Sequence, residues 1–214
     1  MFVKNSKEYW ELRFGTKDWK KRGGNSHSLQ HAIEYISLLK IPRKFNGILC
    51  DFGCAEGDAF PAYRSAYPNA ILFGIDFSEN AIKEARKKYG DIGEFICGSS
   101  SAIPKCEVLI CSHTLEHIEN DSVMLHKLLG VCQTCFIVVP YKENPLGSEH
   151  LRIYDEQSLS QFHVKQAFVC STGWPIQKVL YRIMFKNIFR AILGLDLKKN
   201  PQQIIYEFNG LIKL

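Results

Sequence analysis

The chain has 214 residues, 46% hydrophobic and 23% charged, which is the balance of a soluble globular protein with one sizeable core. No apolar run approaches the ~20 residues that span a bilayer, and the start Met1-Phe-Val-Lys-Asn-Ser-Lys lacks the apolar centre of a secretory signal, so a cytoplasmic protein is expected. The net charge of +5 equals the excess of residues 174–199, where Lys178, Arg182, Lys186, Arg190, Lys198 and Lys199 face only Asp196.

In chain order, residues 1–24 read as short amphipathic helical turns rich in Tyr, Trp and Phe, ending at Gly23-Gly24. A helix follows to residue 40, with Ser26 or Ser28 as its cap and Leu29, Ile33, Ile36 and Leu39 on one face. Pro42 ends it. Strand 47–52 leads to helix 57–67, strand 71–76 to helix 78–89, and strand 93–97 to a polar loop. Strand 107–111 leads to helix 120–129, and strand 134–139 follows. Helix 155–162, strand 164–171, helix 175–193 and strand 203–208 complete the pattern. Alternating strands and helices predict a doubly wound, mainly parallel α/β sheet. The eight cysteines lie mostly in or beside strands and read as small buried hydrophobes of a reducing compartment. Cys132-x-x-Cys135 runs into a strand and has no second pair, so neither redox nor metal chemistry is expected of it.

The stretch Ile48-Leu-Cys-Asp-Phe-Gly-Cys-Ala-Glu-Gly57 carries most of the functional signal. A buried strand stops at Asp51, and the chain turns through Gly53, Cys54, Ala55 and Gly57 into a helix. Such a turn exposes backbone N–H groups, and small side chains let a ligand approach them. The Ala55 methyl group is tolerable there if that residue has a negative φ. A second apolar run, Ile71–Ile75, ends at Asp76, where a carboxylate is placed to accept from a ribose diol. The spacing departs from the G-x-G-x-x-G dinucleotide fingerprint, and an acid two residues before the first glycine suits an aminoacyl tail better than a pyrophosphate. A nucleoside with a polar tail is the predicted ligand.

The run from Asp51 to Gly57 resembles the first motif of class I S-adenosylmethionine-dependent methyltransferases, and the resemblance extends over residues 45–209. Leu115-Glu-His117 after the fourth strand is similar to a common element of that family. Gly147-Ser-Glu-His150-Leu-Arg152-Ile-Tyr154 resembles its G-x-H-x-R-x-F/Y segment, and Tyr9-Trp10-x-x-Arg13-Phe14 with Trp19 and Gly23-Gly24 its cofactor-covering lead. The resemblance implies a Rossmann-like fold, a seven-stranded sheet completed by a C-terminal β-hairpin. It divides the chain into an N-terminal helical lid, residues 1–44, and a methyltransferase domain, residues 45–214, with a helical insertion at about 174–199.

It also implies S-adenosyl-L-methionine as cofactor and S-adenosyl-L-homocysteine as product. Asp51, Gly53, Cys54, Ala55 and Gly57 would hold the methionine tail and Asp76 the ribose. Phe77 would lie against the adenine, with Ser99 or Ser100 standing where the family often has an acid, and Ser112 completing the cofactor contacts. His113, His117 and His150 are the candidate catalytic residues, a histidine taking the proton of a hydroxyl acceptor. Some family members hold a divalent metal with an E-x-x-E-H run and a later histidine. Here His113 replaces the first glutamate, and no metal is expected. His113-x-x-Glu116-His117 also matches an inverted zinc-protease string, but it follows a strand directly rather than sitting on a helix.

The expected acceptor is a small molecule or an activated sugar of a glycan pathway, with no nucleic-acid partner, because the basic residues form one helical stripe rather than an aromatic-lined groove. An RNA methyltransferase, a nicotinamide-dependent oxidoreductase and a non-catalytic adenosyl-ligand-binding protein stay open as alternatives. The basic stripe and apolar bulk of 175–193 predict a peripheral membrane or homodimer contact.

Overall fold

The computed structural model describes residues 2–172, 192 and 202–212. The expected helix 175–193 with its basic stripe, and the insertion at about 174–199, lie outside these residues apart from Ile192.

Seven strands form one sheet in the order β3-β2-β1-β4-β5-β7-β6. They are β1 (Ile48–Phe52), β2 (Ile71–Asp76), β3 (Glu94–Cys97), β4 (Cys106–Ser112), β5 (Cys132–Pro140), β6 (Gln166–Ser171) and β7 (Gln202–Asn209). β1 to β5 pair in parallel, and β7 lies antiparallel between β5 and β6. The order reverses at β1, with β2 and β3 on one side and β4 and β5 on the other. Ligands of open α/β sheets bind at such a switch point, outside the carboxyl ends of the strands.

The central strands alternate between two apolar layers, as a side-chain period of two requires. Cys50, Leu109, Ile137 and Tyr206 enter one core with Leu125 and Leu128 of helix α6 (Asp121–Leu129). Leu49, Ile110, Phe136 and Ile205 enter the other, with Tyr35 of α3 (Gly24–Ile36), Tyr63 of α4 (Phe60–Ala66) and Ile82 of α5 (Glu79–Tyr89). Two further helices, α1 (Lys7–Gly15) and α2 (Asp18–Lys21), open the chain. Ser6 caps α1 by accepting from the Tyr9 N–H, and Ser78 caps α5 by accepting from Ala81.

Three expected elements differ. The helix expected over 57–67 begins at Phe60, because Gly57 takes φ +77° and ends the turn before the helix can start. α3 begins at Gly24 rather than at a serine cap, since Gly23 with φ 85° already turns the chain into it. No helix forms over 155–162. Asp155 accepts from Gln157 N–H and the Ser158 hydroxyl, which closes a local turn, and only Ser160–Phe162 makes a 3₁₀ turn.

Candidate functional site

Asp51 and Asp76 stand at the tips of neighbouring strands. The turn between Phe52 and Phe60 is tied to β2 by two N–H groups, Gly53 and Cys54, which both donate to the Ile75 carbonyl at 2.8 and 3.2 Å. Gly53 has φ +80°, and a Cβ there would lie 2.1 Å from Thr114 Oγ1. Both the left-handed backbone and the close approach of the loop after β4 therefore demand glycine. Ala55 does not meet the condition of a negative φ. Its φ is 50°, so an L-residue occupies the left-handed region at a strained turn. Its N–H donates to Asp76 Oδ2 at 3.0 Å, which helps hold that geometry.

Asp76 also accepts from the Ser78 N–H at 2.9 Å. It is buried, and burial pushes its pKa up to about 6 despite these donors. Asp51 is 3% exposed. Burial pushes it up to about 7, reinforced by the charge of Asp76 and countered by the Tyr63 hydroxyl, which donates at 3.3 Å. Desolvation is the leading cause for both. Cys54 is buried in the turn and Phe77 sits half-exposed at the rim. Ser99 bonds Ser101 at 2.9 Å, and Ser100 opens a 3₁₀ turn, on the exposed loop after β3. These strand tips form one edge, and the turn after β1, the start of α5 and the loop after β4 converge on it.

Ser112 ends β4, and the loop after it carries the histidines. His113 has φ 50°. Its Nε2 meets Gln203 Oε1 of β7 at 2.9 Å, and its Nδ1 lies 3.4 Å from Glu116 Oε1. Its ring stacks on His31 of α3, centroids 3.9 Å apart. Leu115–His117 forms a 3₁₀ turn, so the inverted protease spacing does not place its histidines on a helical face. Glu116 is 1% exposed, and neither carboxylate oxygen has a hydrogen-bond partner within criteria. Burial would raise its pKa, but the neighbouring His113, His117 and His150 outweigh it and hold the group below the usual carboxylate value.

His117 and His150 come together from segments 33 positions apart, with ring centroids 4.9 Å apart. The Nδ1 of His117 lies 3.0 Å from the Glu149 carbonyl. A carbonyl only accepts, so this nitrogen carries the proton and Nε2 keeps its lone pair. His150 Nδ1 bonds the Glu143 carboxylate. Burial lowers the pKa of His117. One ligand atom from each of Glu116, His117 and His150 lies within 4.8 Å of the others.

Helix α1 lies across both halves of this edge. From one face Glu11 accepts from the Ser78 hydroxyl and the Glu79 N–H, at the start of α5 beside Asp76. From another, Tyr9 and Arg13 both donate to the Glu149 carboxylate. Sequence reasoning did not single out Glu143, Glu149, Tyr35, Tyr63 or Gln203. Each acts through a partner remote in sequence, and no local pattern marks it.

Residues 49–134 match the family model described as a methyltransferase domain. Over this stretch, about two fifths of the chain, the sequence is similar to methyltransferase domains. The seven-stranded sheet, with its antiparallel last pair, is shared by solved structures of low sequence identity. One is a chain of the complex between the Haloferax volcanii Trm112 methyltransferase activator and a methyltransferase (14% identity, TM-score 0.64, covering 98% of this chain and 100% of that one). Another is the plantazolicin methyltransferase BpumL in complex with S-adenosylhomocysteine (18%, 0.58, 92% and 89%). A third is coclaurine N-methyltransferase bound to N-methylheliamine and S-adenosylhomocysteine (12%, 0.57, 82% and 70%). At these identities the likeness is one of fold.

Proposed function

We propose that this methyltransferase moves the methyl group of S-adenosylmethionine to a hydroxyl of a small molecule or activated sugar. The observation that carries the hydroxyl reading is the pair His117 and His150. Each ring has its Nδ1 engaged by the protein, and the two rings lie 4.9 Å apart beside the loop after β4, which leaves the Nε2 atoms for the acceptor. When bound, the cofactor supplies an electrophilic methyl group on a sulfonium. The chain's residues then have three tasks. Asp51 and the Gly53–Gly57 turn hold the aminoacyl tail, and Asp76 accepts from the ribose while its backbone donors keep it oriented. A desolvated anionic strand tip fits a cationic tail, and the two raised carboxyls are groups whose ionisation such a ligand would favour.

His150 is the proposed base, because the Glu143 carboxylate behind it stabilises the imidazolium that forms. His117, its Nδ1 held by the Glu149 carbonyl, lines the same space and shapes the acceptor side of it. Alignment of acceptor and methyl is the main contribution, since orientation alone supplies several kcal/mol of a barrier. Trp10 and α1 exclude water from the reacting edge. Two compared structures support a small acceptor: one holds N-methylheliamine, and the other is named for plantazolicin.

A second reading has its own observation. The unpartnered, buried Glu116 oxygens beside two free imidazole nitrogens suit a divalent cation. Glu116, His117 and His150 would hold it, and it would supply Lewis-acid activation of the hydroxyl.

The test is methyl transfer from labelled S-adenosylmethionine to a panel of hydroxylated small molecules and nucleotide sugars, with and without chelator. Transfer that falls on His150→Ala while S-adenosylhomocysteine affinity holds supports the base role. Undiminished transfer overturns it. Complete loss on chelation, restored by magnesium or manganese, selects the metal reading.

A further inference from the structure

Two buried tyrosines line up behind Asp51, and the assigned cofactor role does not use them. Tyr63 is 0% exposed and Tyr35 1%. The Tyr63 hydroxyl donates to Asp51 Oδ2 at 3.3 Å and shares a hydrogen bond with the Tyr35 hydroxyl. Each hydroxyl has one proton to give. With Asp51 ionised, Tyr63 gives its proton to the carboxylate and can only accept from Tyr35. The chain Tyr35→Tyr63→Asp51 then has both donors pointing one way, and chained hydrogen bonds strengthen one another.

We propose that Tyr63 and Tyr35 are positioning residues for the cofactor: they hold Asp51 as an oriented carboxylate for the ammonium of the aminoacyl tail. Tyr35 lies on α3, so the lead helices contribute to the cofactor site from beneath as well as covering it from above. The chain has a reason to exist. The groups around Asp51 are Tyr63 of α4, Tyr35 of α3, Asp76 of β2, Cys54 of the turn and Cys111 of β4, and none of these carries a positive charge. Burial and Asp76 both favour the protonated acid, which has nothing to offer an ammonium. The Tyr63 hydroxyl is the hydrogen bond that opposes them. Removing it moves the ionisation of Asp51 to higher pH. Binding of an ammonium ligand then weakens most below the Asp51 pKa, where the group is already largely protonated.

This inference rests on the S-adenosylmethionine reading. Its test is calorimetric titration of the full chain with S-adenosylhomocysteine, from about pH 6 to about pH 8.5, in two buffers of different ionisation enthalpy. Tyr63→Phe should weaken binding roughly tenfold at the low end and less than about threefold at the high end, the pattern of a one-unit rise in a linked pKa. Proton release on binding near neutrality should increase in the same variant. Tyr35→Phe should shift the profile in the same direction by less. Asp51→Asn should bind weakly with a profile that no longer depends on this group. A Tyr63→Phe variant weakened by one factor at every pH, or not weakened at all, overturns the inference: the tyrosine would then be packing alone. If wild type binds no S-adenosylhomocysteine at any pH, the cofactor reading itself falls.

Discussion

The indole of Trp10 stands edge-on to the imidazole of His117, with centroids 5.1 Å apart and planes at 73°. This contact joins a helix near the start of the chain to the loop after β4. The surrounding bonds make the joint firm. Lys4 donates to the Ser148 carbonyl at 2.7 Å and Asn5 to the Glu149 carbonyl at 2.8 Å, while Arg13 pairs with both Glu149 and Asp18. The Arg13 side chain is only 8% exposed, so its charge depends on those partners. Arg13→Ala should destabilise the protein by about 2–4 kcal/mol, the range for breaking a largely buried pair. It should also speed limited proteolysis within residues 2–15. Chemical denaturation and a cleavage time course measure both effects. An unchanged cleavage rate would show that the pair does not hold α1 down.

The turn after β1 makes opposite demands at two small residues. Gly53→Ala places a methyl group 2.1 Å from Thr114 Oγ1 at φ +80°, and should cost at least ~2 kcal/mol with loss of S-adenosylhomocysteine binding. Ala55→Gly relieves a left-handed alanine and should stabilise by roughly 0.5–1 kcal/mol with affinity retained. Thermal unfolding of the two variants checks the pair. Destabilisation by Ala55→Gly would mean the Ala55 methyl packs well enough to outweigh its strain.

Asp51 and Asp76 set a pH dependence of stability. Their folded pKa values, about 7 and about 6, lie above the ordinary 3.8. The folded state therefore binds more protons than the unfolded chain between those limits, and stability falls as pH rises through about 4 to 7. Both groups are ionised and costly at the top of that window. Asp51→Asn should raise the ligand-free midpoint at about pH 7.5 by a few degrees, corresponding to roughly 1–2 kcal/mol. At about pH 4 the gain should vanish. The rise in midpoint on adding S-adenosylhomocysteine should be larger at about pH 7.5 than at about pH 5.5. An equal rise at both values would show that neither carboxyl is linked to the ligand.

Glu116 gives the metal reading a measurement that needs no acceptor. Manganese or cobalt at about a hundred times its dissociation constant should stabilise the protein by about 2.7 kcal/mol. Glu116→Gln should abolish that gain and lower ligand-free stability, because the surrounding histidines favour the ionised carboxylate in the fold. The same metal-dependent shift in wild type and Glu116→Gln would place the cation elsewhere.

The alternation of strands and helices, the acids closing β1 and β2 and the glycines between them were readable in sequence. These features are local: a side-chain period of two, a turn that only small residues fit, a carboxylate at a strand end. They were enough for the fold class, the methyltransferase resemblance and the cofactor. The element boundaries and the site beyond it were decided by tertiary contacts. Asp155 looked like a helix cap and instead closes a turn on Ser158, because nothing in its own few residues outweighs that short-range bond. The sign of φ at Ala55 was open in the sequence; its N–H donates to Asp76, 21 residues away, and the backbone there is left-handed. His117 finds its tautomer in the Glu149 carbonyl, Asp51 finds its donor in Tyr63 on the next helix, and His113 finds Gln203 from the last strand. Periodicity assigns a residue to a face of its own element. Which donor meets which acceptor is set only when the elements pack, because a buried polar group takes the partner that the fold brings within about 3 Å.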